Sequence, residues 1–298
     1  MEINIKGHSG CNINISRKNG ELFILKSTSD PQYINRLRAQ VEKQINAYNS
    51  NITDFKIPKI YDIENTSSKL NIYMEYIYSM SFIEYFERCS PQNISNFIHS
   101  IISYIELQID KSKISEISTN LFIDKFNDVK SKIIKNNFIS EKLEINKILN
   151  VSQSIFEQLP NIIKLPIGIC HGDLTFSNIL FCGDKYYLID FLDSFIESPI
   201  IDIVKIRQDS AYNWSTLMYS KKYDKIRLNI ITKHIDNEIS SYFKKYDWYN
   251  QYYHIFQLMN FLRILQYTKK HDIAKFLIST CKQLINEIQF NNPNCGRL

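Results

Sequence analysis

Residues 170–180 read CHGDLTFSNIL, and ten residues after Asn178 begins LIDF, residues 188–191. His171, Gly172 and Asp173 are consecutive, Asn178 follows Asp173 by five residues, and Asp190 sits in an apolar run. Taken singly, Asp and Asn near strand ends are ordinary turn formers and caps. Together they ask for more. NILFC, the turn GDK and YYLIDF read as a short hairpin, so Asn178 and Asp190 return to the same end of it. Two oxygen ligands brought together in this way suit Mg²⁺, which takes one or two protein groups and leaves the rest to phosphate and water. Asp173 lies ahead on the same loop, clear of the metal and available to accept a proton from an attacking hydroxyl.

The rest of the chain bounds what such a loop can belong to. With 298 residues, 44% of them apolar, the chain can bury one large core or two lobes. The formal net charge of +5 is mild, and basic residues are spread without a Lys/Arg block. Nucleic-acid binding and membrane binding are therefore not indicated. No apolar run approaches the ~20 residues of a membrane span. The first sixteen residues lack the apolar segment of a signal peptide. Six cysteines without a CxxC pair speak against a zinc or disulfide framework, and a reducing cytoplasm fits them.

Strand patterning dominates the first 75 or so residues. CNINISRKNGELFILKS, from Cys11, alternates Ile13 and Ile15 with polar residues, turns at Asn19-Gly20 and resumes toward Lys26. Asn-Gly between such runs is a strong hairpin signal. Asp30 and Pro31 then open a helix. KIPKIYDIE and KLNIYMEYI form a second strand pair around NTSS. From about residue 81 the pattern is helical. Ser90 and Pro91 start a helix with Ile94, Phe97, Ile98, Ile101, Ile102 and Ile105 on one face. Two further helices fill 118–160, LPIGIC reads as a strand before the motif loop, and the chain beyond about 199 is helical again. No internal repeat or low-complexity linker appears. The expectation is an α+β architecture: a small antiparallel-sheet lobe over residues 1–78 with a five-stranded sheet and one helix, and a larger, mainly helical lobe over 79–298.

A base, an amide ligand and a carboxylate ligand are the parts of kinase-type phosphoryl transfer. HGDLTFSNIL followed by LIDF resembles the phosphotransferase signature of the aminoglycoside phosphotransferase and choline kinase superfamily, the protein-kinase-like small-molecule kinases. His171, Gly172, Asp173 and Asn178 meet its HGD-x4-N, and Ile189, Asp190 and Phe191 meet its I-D-F. Pro199 and Asp202 in SPIIDIVK match the helix opening that often follows. The resemblance implies a protein-kinase-like bilobal fold, ATP as phosphoryl donor, Mg²⁺ held by Asn178 and Asp190, and Asp173 as the base. It further implies a phosphate loop at Gly7, Ser9 and Gly10, though KGHSGCN departs from the GxGxxG of protein kinases. Lys26 resembles the lysine that reaches the α/β-phosphates, and Glu42 on the first helix is expected to pair with it. IYMEYIYS resembles a hinge, with Met74 behind the base and the Glu75 carbonyl and Ile77 amide facing the adenine edge.

Only eleven residues separate Asp190 from Asp202, too few for the long activation segment on which a protein kinase holds a peptide. Thr175 also stands where protein kinases carry Lys. The expected activity is therefore transfer of the γ-phosphoryl group to a hydroxyl of a small molecule, with the acceptor left open among a sugar, an amino alcohol such as choline or ethanolamine, and an aminoglycoside. An atypical protein Ser/Thr kinase and a nucleotide-binding pseudokinase are the rivals. A pseudokinase would be expected to lose at least one of Lys26, Asp173, Asn178 and Asp190, and all four are present. Asp193, Glu197 and Asp209, with the aromatics of DSAYNWSTLMY and YDWYNQYYHIF, are candidates for the acceptor pocket, although aromatics at helical spacing are more often core. The oligomeric state is not legible.

Overall fold

Alternating Ile and Asn residues build strands, and the structure, a computed structural model that describes residues 3–5, 11–18, 20–50, 54–66 and 68–291, places them at once in a sheet. β1 (Ile3–Ile5) pairs with β2 (Asn12–Lys18), and β2 pairs with β3 (Glu21–Thr28). Gly20 turns that hairpin with φ +88°, a left-handed conformation that costs glycine nothing. Helix α1 (Pro31–Asn49) follows; the Asp30 side chain accepts from the Gln32 amide at 2.9 Å, and Pro31 fits the first turn. After β4 (Phe55–Lys56), β5 (Ile60–Asn65) and β6 (Leu70–Glu75) complete an antiparallel sheet in the order β1-β2-β3-β6-β5. Leu37 and Val41 of α1 pack with Cys11, Leu70, Ile72 and Met74.

Helices α2 (Phe82–Arg88) and α3 (Pro91–Asp110) come next, α2 with a reciprocal cap between Ser81 and Glu84. Then follow β7 (Lys113–Ser118), α4 (Asn120–Lys135), α5 (Lys142–Glu157) and β8 (Ile162–Ile167). The motif hairpin is β9 (Ile179–Cys182) and β10 (Lys185–Leu188). The chain ends in α6 (Pro199–Ser210), α7 (Lys225–Phe243), α8 (Asp247–Leu265) and α9 (His271–Asn291). The five-stranded sheet with one helix and the larger helical part are thus as the sequence predicts. The ribbon of β7 against β8 is an addition. KISEIS is short and mostly exposed, so its alternation gives little signal, and it forms a strand because β8 supplies a full register of partners.

Two compact units result. One comprises residues 1–104, 171–193 and 222–231; the other comprises 105–170, 194–221 and 232–298. The first unit reaches past residue 78 for a definite reason. β10 pairs in parallel with β4, and the Met80 amide donates to the Phe181 carbonyl at 2.9 Å, so the motif hairpin is hydrogen-bonded to the N-terminal part of the chain. Beneath the hairpin, Phe82, Tyr85, Phe86, Phe97, Phe176, Phe181 and Tyr186 form one aromatic cluster, with Tyr85 stacked on Phe181 at 4.5 Å and Phe97 at 5.2 Å from Phe181. Tyr85 and Tyr186, both buried, satisfy each other's hydroxyls at 2.9 Å. In the second unit, Phe122 of α4 packs edge-on against Phe256 of α8 at 4.7 Å, and most of α8 is buried. Among the described residues no helix is long and apolar enough to cross a membrane.

Phe181 lies at the centre of the aromatic cluster and is fully buried. Phe181→Ala is expected to cost about 3–5 kcal/mol in urea unfolding. Tyr78→Ala, at a side chain that is 82% exposed, should stay within about 0.5 kcal/mol.

Candidate functional site

Every described member of the predicted site folds within the first unit. Asn178 ends a single 3-10 turn immediately before β9, and its carbonyl accepts from the Ile189 amide at 3.1 Å, continuing the pairing of Ile179 with Leu188. That bond places Asn178 and Asp190 at the same end of the hairpin, as the sequence reading requires. Asn178 Nδ2 also donates to the Asp173 backbone carbonyl at 2.9 Å and to Asp173 Oδ2 at 2.8 Å. Its nitrogen is thereby committed to Asp173, which leaves Oδ1 as the oxygen it can offer to a cation.

Asp190 is held in an uncommon backbone conformation, φ +60°, at the cost that any side-chain-bearing residue meets there. The neighbouring bonds impose it. The buried His171 ring donates from Nε2 to the Ile189 carbonyl at 2.9 Å and accepts at Nδ1 from the Asp173 amide at 3.2 Å. The Leu192 amide donates to the His171 carbonyl at 2.9 Å, and Lys43 Nζ donates to the Leu192 carbonyl at 2.7 Å. Gly172, at φ +85°, lies so close that a β-carbon there would collide with the Leu192 carbonyl oxygen. His171 is a brace in this arrangement. Burial pulls its pKa down to about 4, so the ring is neutral near pH 7.

Lys26 lies at the other side of Asp190. Its ammonium contacts Asp190 Oδ1 at 2.7 Å and Gln40 Oε1 at 3.5 Å. Burial would lower the lysine pKa, but the Asp190 carboxylate outweighs it and the value lies above the ordinary one. Glu42 does not pair with Lys26, contrary to expectation. Its side chain is exposed, because the face that α1 turns inward carries Leu37, Gln40, Val41 and Gln44. Gln40 takes the position expected for the glutamate. Gln40, Lys43 and Gln44, spaced i, i+3, i+4 on α1, reach Lys26, the Leu192 carbonyl and the Pro58 carbonyl respectively. The sequence reading missed all three; their spacing on an otherwise apolar face was the available signal.

A cavity of about 340 Å³ adjoins Lys26 and Asp190. Ile13, Ile15, Ile24, Leu180 and Ile189 give it apolar walls, and Met74, Glu75 and Ile77 also line it. Its size and mainly apolar lining suit a small-molecule ligand. The Glu75 side chain accepts from the Lys59 amide at 3.1 Å and fixes the start of this wall. Gly7, Ser9 and Gly10 lie outside the described residues. Of the acceptor candidates, Asp193 is exposed, whereas Asp209 is buried and accepts from the Ser215 amide at 2.8 Å. Glu197 accepts from the Ser194 amide at 2.8 Å. Asp202 is buried and accepts from Gln108 at 2.7 Å.

Two outcomes follow. Gly183 also has positive φ but nothing within 4 Å of its added β-carbon, so Gly183→Ala should cost roughly 1–2 kcal/mol for conformation alone. Gly172→Ala should cost clearly more in the same urea titration, because the Leu192 carbonyl must also move. The second concerns pH. His171 has a folded pKa near 4, below the ~6.5 of an unfolded histidine, so its contribution is full above pH ~6.5 and is lost as pH falls toward 4. Unfolding free energy measured across that window should drop by up to ~3 kcal/mol from this group, and His171→Asn should flatten that slope.

Residues 137–223, which include both motifs, match the model of the phosphotransferase enzyme family. No curated protein matches the sequence. Among solved structures, the chain is similar to a thermostable mutant of aminoglycoside phosphotransferase APH(4)-Ia in ternary complex with AMP-PNP and hygromycin B, at 12% identity, 96% coverage of this chain and 93% of that one, with a TM-score of 0.61. It is similar also to a glucosamine kinase in complex with glucosamine, ADP and inorganic phosphate, at 9% identity, 98% and 82% coverage, and a TM-score of 0.63. Spectinomycin phosphotransferase APH(9)-Ia, in complex with ADP and spectinomycin, gives 11% identity, 97% and 92% coverage, and 0.54. The segment carrying HGD and IDF thus matches the phosphotransferase enzyme family, and the chain as a whole has the protein-kinase-like fold of aminoglycoside phosphotransferases and sugar kinases.

Proposed function

We propose that the chain is an ATP-dependent phosphotransferase that moves the γ-phosphoryl group to a hydroxyl of a small molecule in the cytoplasm. In this reading, residues 1–78 form the nucleotide-binding lobe, and 79–298 supply the catalytic loop, the metal ligands and the acceptor pocket. The observation that carries it is the convergence of Lys26, Asp173, Asn178 and Asp190 beside a cavity lined by Met74, Glu75 and Ile77. A hard oxygen pair, the Asn178 amide and the Asp190 carboxylate, fits Mg²⁺. When bound, the ion would neutralise charge on the β- and γ-phosphates.

The chain's own groups do the remainder. Lys26 neutralises phosphate charge, and the apolar cavity takes the base against Met74. Asp173 orients the acceptor hydroxyl and takes its proton as the acceptor oxygen bonds to the γ-phosphorus and the bond to the β-bridging oxygen breaks, releasing ADP. Asn178 serves both ends of this chemistry, its nitrogen fixing the Asp173 carboxylate and its oxygen turned to the cation. Positioning and electrostatics account for most of the acceleration, with the base contributing on the order of 10²–10⁴. The acceptor is small because α6 begins at Pro199, so that residues 191–198 are all that separates Asp190 from a helix. Sugars, amino alcohols and aminoglycosides are the acceptor classes to screen, and the solved structures bound to hygromycin B, glucosamine and spectinomycin favour starting with sugars and aminoglycosides.

Transfer of label from γ-labelled ATP to a panel of alcohols, sugars and aminoglycosides tests the reading. Wild-type protein should label at least one small acceptor, and Asp190→Ala should abolish Mg²⁺-dependent turnover. Asp173→Asn should slow transfer by at least ~10²-fold while calorimetry finds ADP binding largely unchanged. Labelling of a protein partner with no small acceptor used would overturn the assignment.

A further inference from the structure

Asp190 is clamped on both sides along the chain. Before it, the Ile189 amide donates to the Asn178 carbonyl at 3.1 Å, and the Ile189 carbonyl accepts from His171 Nε2 at 2.9 Å. After it, the Leu192 amide donates to the His171 carbonyl at 2.9 Å, and the Leu192 carbonyl accepts from Lys43 Nζ at 2.7 Å. The first three bonds join the motif loop to its own hairpin and the segment after it, whereas the fourth comes from α1. That fourth bond is the shortest and carries a charge on its donor, which places it among the stronger kinds. The oxygen that Lys43 holds is also the atom that a β-carbon at Gly172 would strike. Between the clamps Asp190 keeps φ +60°, a conformation that a side-chain-bearing residue retains only where its surroundings over-determine it.

We propose that Lys43 is a positioning residue for the metal-binding carboxylate: by holding the Leu192 carbonyl it keeps Asp190 at its positive φ, at the end of the hairpin that Asn178 occupies. The inference rests on the reading of Asp190 as a Mg²⁺ ligand given above. It changes the task of α1. A carboxylate on that helix was expected to serve Lys26, but Glu42 is exposed. Through Lys43, α1 instead holds the backbone that carries Asp190, the partner of Lys26 in the ion pair. A cation suits this post, because it donates to the carbonyl and adds no anion beside Asp173 and Asp190. It also lets two roles be told apart by sign. As a mere nearby charge, Lys43 repels Mg²⁺, and its removal would tighten metal binding. As a positioning residue it favours the metal, and its removal must weaken metal binding.

Three variants of the full chain test this. Lys43→Met keeps the side-chain stem and removes the donor, and Lys43→Arg restores a charged donor. Gly172→Ala displaces the same carbonyl oxygen with Lys43 in place. The Mg²⁺ dissociation constant is measured by calorimetric titration into protein saturated with ADP, and ADP affinity is measured separately in the presence of a chelator. Hydrogen exchange of residues 188–193 is followed with no ligand at all. Lys43→Met is expected to weaken Mg²⁺ binding by about tenfold and to speed exchange in that segment by a similar factor. Metal-free ADP affinity should stay as in wild type, Lys43→Arg should recover most of the Mg²⁺ affinity, and Gly172→Ala should weaken Mg²⁺ as Lys43→Met does. Unchanged or tighter Mg²⁺ binding in Lys43→Met overturns the inference, as does wild-type exchange across 188–193. A matching loss of metal-free ADP affinity overturns it too, since the site would then have collapsed as a whole. If Lys43→Met does not fold, wild-type Mg²⁺ affinity in Gly172→Ala overturns it. Absence of Mg²⁺ binding in the ADP-saturated wild-type protein is a separate result: the metal reading of Asp190 then fails, and this inference falls with it.

Discussion

The approach of the Leu192 carbonyl to Gly172 is the constraint on which the site rests. Two chain segments twenty residues apart come so close that no side chain fits between them. That contact is fixed at both ends of the Leu192 peptide, by the His171 carbonyl on its amide and by Lys43 on its oxygen. Asp190, two residues earlier, has no freedom left to relax its positive φ. The strain there is of order 1–3 kcal/mol, and the hydrogen bonds around it are what oppose it. Glycine at 172 is therefore a requirement of the geometry of residues 189–192 and not only of its own turn.

Helix α1 extends this constraint to the cavity. Gln40, Lys43 and Gln44 lie one turn apart on a single face, and each fastens a different strand or loop near the cavity. A rotation of α1 by one residue would withdraw all three together. Lys26 and Asp190 form a largely buried ion pair across the same space, with the lysine side chain 7% and the aspartate 39% exposed. Such pairs gain little net stability, since desolvation offsets the attraction. Their presence here is better understood as charge stored where a polyanion and its counter-ion would need it.

The catalytic loop was legible because its chemistry is local. HGD, Asn178 and IDF lie within twenty-one residues, and a short hairpin has few ways to fold, so the convergence of Asn178 and Asp190 followed from the turn alone. The sheet and the first helix were legible from alternation and from the Asp30-Pro31 start. Glu42 was misplaced for an equally physical reason. Glu42 lies two positions beyond Gln40, and two residues of helical phase turn a side chain by about 200°, to the opposite face. The ribbon of β7 and β8 escaped because its stability comes from pairing across 43 or more residues of intervening sequence, which no local pattern reports. Likewise, the position of the motif hairpin in the first unit depends on β4, a two-residue strand too short to carry a periodic signal.

The aromatic residues of the second unit illustrate how a suggestive cluster becomes core once its partners are known. Arg207 is buried against Asp236 through paired bonds of 2.8 and 3.0 Å, donates to the Tyr249 hydroxyl at 2.6 Å, and lies 4.2 Å from the Tyr253 ring. Tyr212 packs edge-on against Phe261 at 5.0 Å. Tyr249 and Tyr253 are 3% and 2% exposed, so neither ring presents a face to a ligand. Tyr249 and Tyr253 are therefore structural ligands of Arg207. Asp209 and Asp202 are likewise committed to Ser215 and Gln108. Of the acidic residues beyond the IDF motif, Asp193 is exposed, three residues from Asp190. If the proposed function holds, a negative charge in that position would favour neutral or cationic acceptors over anionic ones, since like charges repel.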